Sequence, residues 1–306
     1  MLRRPPVCRP VTVLVLAALP WTWFGLRDVL GPPGDVVAIL LPVLVGLVTL
    51  GLLARRDRRS LLLAVSVLAF GSAAVVGPWT PADAGPVAPG RSVRIAEANV
   101  RDSPDPAASL LGVSADVVVV AEMTPALDPP LAAAYPYREL ALTGAPNVAV
   151  YSRLPLRVLD RPGPDLPGLR LQVDGPAGPF VLYALHVPRP WFTTRGGYQA
   201  TVGEHHRFVL GIGAKARAET LPVVVTGDLN SPDRGRDYRL LIASGLVDAA
   251  RADPTTFTST GQWTALLLRI DHLLVSTGWC GDASGQIPLP GSDHRGVTAT
   301  VGPCGV

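Results

Sequence analysis

The sequence predicts an α/β domain of two packed sheets with helices outside them, preceded by three membrane-spanning helices. Three observations carry this reading. Long apolar stretches occupy the first 80 residues. From residue 92 onward, short runs rich in β-branched residues alternate with polar turns, with helical segments between some of them. Hydrophobic residues make up 48% of the 306, and the mean hydropathy is positive.

The apolar stretches are residues 11–30, 36–54 and 60–79. The second and third carry no charge, and each approaches the roughly 20 residues a helix needs to cross the hydrocarbon core. Trp21, Trp23 and Trp79 lie near their ends, where indole rings favour the interface. A cleaved signal peptide would also account for the first stretch, but no small-x-small site follows its apolar run. Arg3, Arg4 and Arg9 precede the first stretch, and "RRDRR" (55–59) separates the second from the third. Positive loops stay in the cytoplasm, so the N-terminus is expected inside and everything after residue 79 outside.

Charge divides at the same place. The chain carries 27 basic and 24 acidic residues; 8 basic and 3 acidic fall in residues 1–80, leaving a net of −2 for residues 81–306. The exported part therefore lacks the charge footprint of a nucleic-acid binder. Cys280 and Cys304 fall in it, where an oxidising compartment permits a disulfide, while Cys8 is expected inside. No Cys/His cluster has zinc-site spacing. Residues 80–91, rich in Pro, Ala and Gly, read as a linker, so the expected division is 1–79, 80–91 and 92–306.

Strands are expected at 92–100, 115–123, 147–153, 169–173, 179–186, 221–228, 268–276 and 296–301, and helices at 105–112, 124–134, about 197–218 and 236–244. Polar residues stand where these strands stop or start: Asn99, Glu122, His186, Asp228 with Asn230, Asp271 with His272, and Asp293 with His294. Singly, each could be a turn or cap residue. Gathered at one sheet edge, they would form an active site. His205 and His206 read as surface residues of a helix.

The ordered set "ANV" (98–100), "VVVVAE" (117–122), "ALHVP" (184–188), "VTGDLNSP" (225–232), "RIDHLLVS" (269–276) and "SDHRGV" (292–297) resembles the endonuclease/exonuclease/phosphatase (DNase I-like) superfamily. The resemblance implies a four-layer αββα sandwich and a metal-dependent hydrolase of phosphoric ester or anhydride bonds. It implies that Glu122, with Asn99 and Asp293, holds Mg²⁺ or Mn²⁺, hard ions that prefer oxygen donors. Asp228 would activate the attacking water and Asn230 would bind a phosphate oxygen. His294, oriented by Asp271, would bind the phosphoryl group or move a proton, and His186 would act on the leaving oxygen. The sequence departs from many nucleases of the superfamily two residues after the first Asn, where Arg101 stands instead of Asp or Asn; this weakens any second metal site.

The loop "RPWFTTRGGYQ" (189–199) is aromatic and basic. Arg189 and Trp191 are therefore candidate substrate contacts, and Arg101, two residues after the first Asn, is another. Three spans, an Arg-rich inner loop and an exported domain of this superfamily also resemble the VanJ-type membrane proteins of actinobacteria, linked to teicoplanin resistance. That resemblance implies a polyprenyl phosphate or pyrophosphate at the outer membrane face as substrate, with the lipid membrane as partner. Two alternatives stay open: an anchored extracellular nuclease, against which the charge argues, and a non-catalytic domain that grips phosphates or an antibiotic.

Overall fold

A computed structural model describes residues 10–27, 29–77, 85–191, 198–251 and 266–305. The chain divides into two compact units, the first built on residues up to Pro78 and the second on most of the remainder.

Three helices make up the first unit: α1 (Pro10–Leu26), α2 (Pro32–Leu53) and α3 (Arg58–Val76). Proline opens α2, where its missing N–H costs nothing. Asp57 caps α3, its carboxylate accepting from the Ser60 N–H at 3.0 Å. α2 and α3 are long and apolar enough to cross a membrane; α1, expected to span as well, has 17 residues and falls short of that length. Val45 packs against Gly71, while Leu47, Leu50, Leu62 and Val65 stand exposed on the outer faces of α2 and α3.

The second unit is two six-stranded sheets. The first sheet comprises β1 (Val93–Asn99), β2 (Val117–Ala121), β3 (Tyr137–Ala141), β4 (Val148–Ser152), β13 (Trp279–Pro288) and β14 (Arg295–Pro303), in the order β13-β14-β1-β2-β4-β3. The second comprises β5 (Leu156–Asp160), β6 (Gly168–Gly175), β7 (Gly178–His186), β10 (Val223–Asp228), β11 (Leu246–Asp248) and β12 (Asp271–Ser276), in the order β11-β12-β10-β7-β6-β5. Each has one central parallel pair, β1 with β2 and β7 with β10, flanked by antiparallel strands. A short pair, β8 (Arg189–Trp191) and β9 (Gln199–Thr201), stands apart.

Four layers follow from which residues are buried together. Val93, Ile95, Val117 and Val119 of one sheet pack on Leu169, Leu171, Phe180 and Leu182 of the other. The outer face of the first sheet, through Ala96, Ala98, Val118 and Val120, is covered by Leu110 of α4 (Ala107–Gly112) and Leu131 of α5 (Asp128–Ala134). The outer face of the second is covered by Val209 and Ile212 of α6 (Val202–Ala218) and Leu241 of α7 (Arg236–Ala243). Sheets covered on both faces explain why β2, β4 and β10 are apolar without alternation.

The expected linker is shorter than the composition implied. Residues 78–84 lie outside the described set, but Val87 already bridges Cys304 and Ala88 donates to the Pro303 carbonyl, so the chain is docked on β14 by then. Cys280 and Cys304 form a disulfide between β13 and the residue that follows β14.

Candidate active site

Strand register brings the polar residues together. Asn99 ends β1, and Glu122 follows β2 at the same level, since Asn99 pairs with Ala121. Asp228 ends β10 with His186 of β7 on one side and Asp271 of β12 on the other. His294 directly precedes β14. The C-terminal ends of both parallel pairs and the starts of their antiparallel neighbours therefore share one edge of the sandwich.

Local sequence explains how those ends turn. Gly227 has φ 141°, and a Cβ there would overlap the Leu185 carbonyl, so only glycine can precede Asp228. Glu122, Asn230 and Arg101 have left-handed backbones at φ 51°, 47° and 49°. Such residues cost about 1–3 kcal/mol each and tend to gather where function requires them.

Asn99 is the hub. Its Nδ2 donates to Glu122 Oε1 at 3.1 Å and to Asp228 Oδ2 at 3.0 Å, and its Oδ1 accepts the Arg101 N–H at 3.0 Å. Asp228 Oδ1 accepts the Asn230 N–H at 2.9 Å. His186 Nδ1 donates to the Pro146 carbonyl at 2.9 Å, which leaves Nε2 facing Glu122 Oε1 at 3.6 Å and Asp228 Oδ2 at 3.9 Å. His294 Nδ1 meets Asp271 Oδ2 at 2.9 Å, with Nε2 3.9 Å from Asp228 Oδ2. The Tyr198 and His186 rings meet at a steep angle with centroids 4.7 Å apart, placing the end of the 189–199 loop beside the cluster.

Burial and charge set the proton affinities. Burial pulls the His294 imidazole down, but Asp271, then Asp228 and Asp293, more than offset it and push it up to about 10. Burial raises the Asp228 carboxyl, Asp271 adds to the rise, and His294, His186 and Asn99 oppose it. Glu97 was not foreseen. Wholly buried on β1, it has both carboxylate oxygens without a hydrogen-bond partner. Burial, then Asp271 and Asp228, raise its carboxyl well above the usual range, which keeps it neutral. The signal was an acid two residues before Asn99 on the same strand face as Val93 and Ile95.

Other expected residues are placed differently. Asp293 Oδ2 lies 3.3 Å from Arg101 Nη1, so its carboxylate is engaged by a guanidinium. One Asn230 N–H is committed to the Val187 carbonyl at 3.0 Å, which holds the loop. Arg189 is exposed on β8; the Trp191 side chain and residues 192–197 lie outside the described residues. His205, expected on a helix surface, is buried: its Nδ1 donates to the Pro188 carbonyl at 2.9 Å, and its Nε2 meets Ser231 Oγ at 3.0 Å. Ser292 was also missed. Its hydroxyl donates to the Asn99 carbonyl at 2.7 Å and accepts the His294 N–H at 3.0 Å, fixing the "SDH" turn to β1.

A second buried cluster lies behind the 228–233 loop. Arg269 spans Asp233, at 2.9 and 3.0 Å, and Asp248, while His272 Nε2 donates to the Ser231 carbonyl at 2.8 Å. Asp233, Asp248 and His272 are close enough to hold a metal. The guanidinium is shared between both acids, so this is an internal ion-pair network. At the sheet edge the donors fit a divalent ion better. Glu122 keeps its carboxylate partly open, and Asp228 and Asp271 crowd the same edge. In the Asp228–Asp271–His294 group, the imidazole Nδ1 proton is already given to Asp271.

Asn, Glu, two Asp and two His thus meet at one edge of two packed sheets. The Endonuclease/Exonuclease/phosphatase family matches residues 95–294, and the chain belongs to that family. Its members are generally metal-dependent hydrolases of phosphoester bonds. Among solved structures, the fold is similar to an endonuclease/exonuclease/phosphatase from Beutenbergia cavernae, with 22% identity, 70% of this chain and 72% of that one covered, and a TM-score of 0.56. It is similar to D. rerio TDP2 complexed with a single-strand DNA product, with 16% identity, 69% and 98% covered, and a TM-score of 0.53. It is also similar to a Bacteroides vulgatus endonuclease/exonuclease/phosphatase, with 16% identity, 69% and 99% covered, and a TM-score of 0.50. No curated protein matches the chain.

Proposed function

We propose that the chain is a membrane-anchored, metal-dependent phosphoesterase that hydrolyses a lipid phosphate or pyrophosphate, of the polyprenyl class used in cell-wall synthesis. The observation that carries the chemistry is the linked set Glu122–Asn99–Asp228 with His294–Asp271 beside it. A divalent ion, Mg²⁺ or Mn²⁺, held by Glu122 and Asn99 would supply positive charge to the phosphoryl oxygens as charge builds on them. Asp228, its second oxygen steadied by the Asn230 N–H, takes the proton of the attacking water. His294 enters protonated, because Asp271 holds it so, and its Nε2–H donates to a phosphoryl oxygen. His186, with Nδ1 fixed on Pro146, presents Nε2 to the leaving oxygen.

The anchoring is supported by α2 and α3, whose outer faces are apolar. In this reading residues 11–30 form a third span, 1–79 is the membrane domain, the stretch after it is a short tether, and 92–306 lies outside the cell. The Cys280–Cys304 disulfide supports an oxidising compartment. A site tethered near a bilayer suits a substrate whose phosphate lies at headgroup level, and the net charge of −2 for residues 81–306 disfavours DNA. A link to glycopeptide resistance rests on the architectural resemblance to VanJ-type proteins.

The discriminating experiment gives the full-length chain, in detergent with Mg²⁺, a polyprenyl diphosphate and a supercoiled plasmid side by side. Phosphate release without nicking supports the lipid reading. Nicking without phosphate release replaces it with an anchored nuclease.

A further inference from the structure

We propose that Arg101 holds Asp293 out of the metal's coordination and so limits the site to one divalent ion. This rests on the reading that Glu122 and Asn99 hold the ion. Arg101 leaves β1 with a left-handed backbone, and its N–H is donated to Asn99 Oδ1, the same side chain that donates to Glu122. That contact fixes where the arginine starts. Its guanidinium reaches Asp293 Oδ2 at 3.3 Å, while the arginine side chain stays 57% exposed at the mouth.

Asp293 has little freedom to turn elsewhere. Ser292 before it is bonded to the Asn99 carbonyl, and His294 after it is paired with Asp271. Its carboxylate is therefore held where the guanidinium neutralises it. A second ion would need ligands of its own, and the Asp293 carboxylate is the one Arg101 engages. It would also sit against a fixed positive charge. Arg101 thus removes a ligand and adds a repulsion. Its exposed N–H groups remain able to meet a phosphoryl oxygen, a task otherwise open to a second cation.

The test is Mn²⁺ stoichiometry, read by the electron-paramagnetic-resonance signal of free Mn²⁺ during titration of metal-stripped, full-length protein. Thermal melts establish that each variant is folded. The wild type is expected to bind one Mn²⁺, E122Q none tightly, R101A two, and R101A/D293N one again. Two ions in the wild type, or one in R101A, would overturn the inference while leaving Glu122 as a ligand. No binding by the wild type would overturn the metal reading itself, and this inference with it.

Discussion

His294 Nδ1 lies 2.9 Å from Asp271 Oδ2, and the imidazole's other nitrogen faces Asp228 3.9 Å away. One ring therefore links two buried acids from neighbouring strands of one sheet while itself belonging to the other sheet. The contact closes the edge of the sandwich and sets the charge of the site.

The pairing makes stability depend on pH. His294 is pushed from its ordinary 6.5 up to about 10, so its contribution is fully present below about 6.5 and is lost as pH rises through about 10. Thermal melts of metal-stripped protein should show this fall across that window. D271N should be less stable than wild type near pH 6.5 and should draw level above pH 10.

Glu97 works in the same sense from a different cause. Burial, then Asp271 and Asp228, hold its carboxyl neutral, so the folded state loses stability as pH rises above the ordinary carboxylate range. E97Q keeps the shape and removes the ionisation. Its melting temperature should match wild type near pH 4.5 and exceed it at pH 8. A lower melting temperature at pH 8 would show that the carboxylate has a partner or bound ion.

Asn99 supplies donors to both Glu122 and Asp228. N99A leaves two carboxylates short of a donor, at a cost of about 1–3 kcal/mol in stability. Activity should fall about 100-fold or more, as when a preorganised donor is removed from a reacting centre. Steady-state kinetics and denaturant melts on one preparation separate the two effects.

Arg269 bridges Asp233 and Asp248 in the interior. R269M would leave both acids buried without their guanidinium partner, costing about 3–5 kcal/mol in denaturant unfolding. R269M/D233N/D248N should recover a large part of that loss. No recovery would mean that the arginine acts through packing.

Much of the site was legible because β-branched runs stop at polar residues. "VVVVAE", "ALH" and "VVVTGD" each announce a buried strand and the side chain at its end. Edge strands were not. β3 ("YRELA") and β5 ("LRVLD") are only partly buried and lack an apolar run. β13 ("WCGDASGQIP") carries a register shift between Asp282 and Gly285 and reads as a turn. Glu97 was hidden because an acid in an alternating strand is assigned to solvent, and here both faces of the sheet are covered. His205 was hidden because its contacts, Pro188 and Ser231, come from distant segments.

If these sheet edges form a metal-dependent phosphoesterase, turnover must depend on both the divalent ion and Asp228. Phosphate release from polyprenyl diphosphate micelles would be followed for the metal-stripped, full-length chain as Mg²⁺ is returned, beside D228A. Turnover that appears with Mg²⁺ and falls by about 100-fold or more in D228A is the result this account predicts. Release that is indifferent to Mg²⁺, or equal in wild type and D228A, would contradict it.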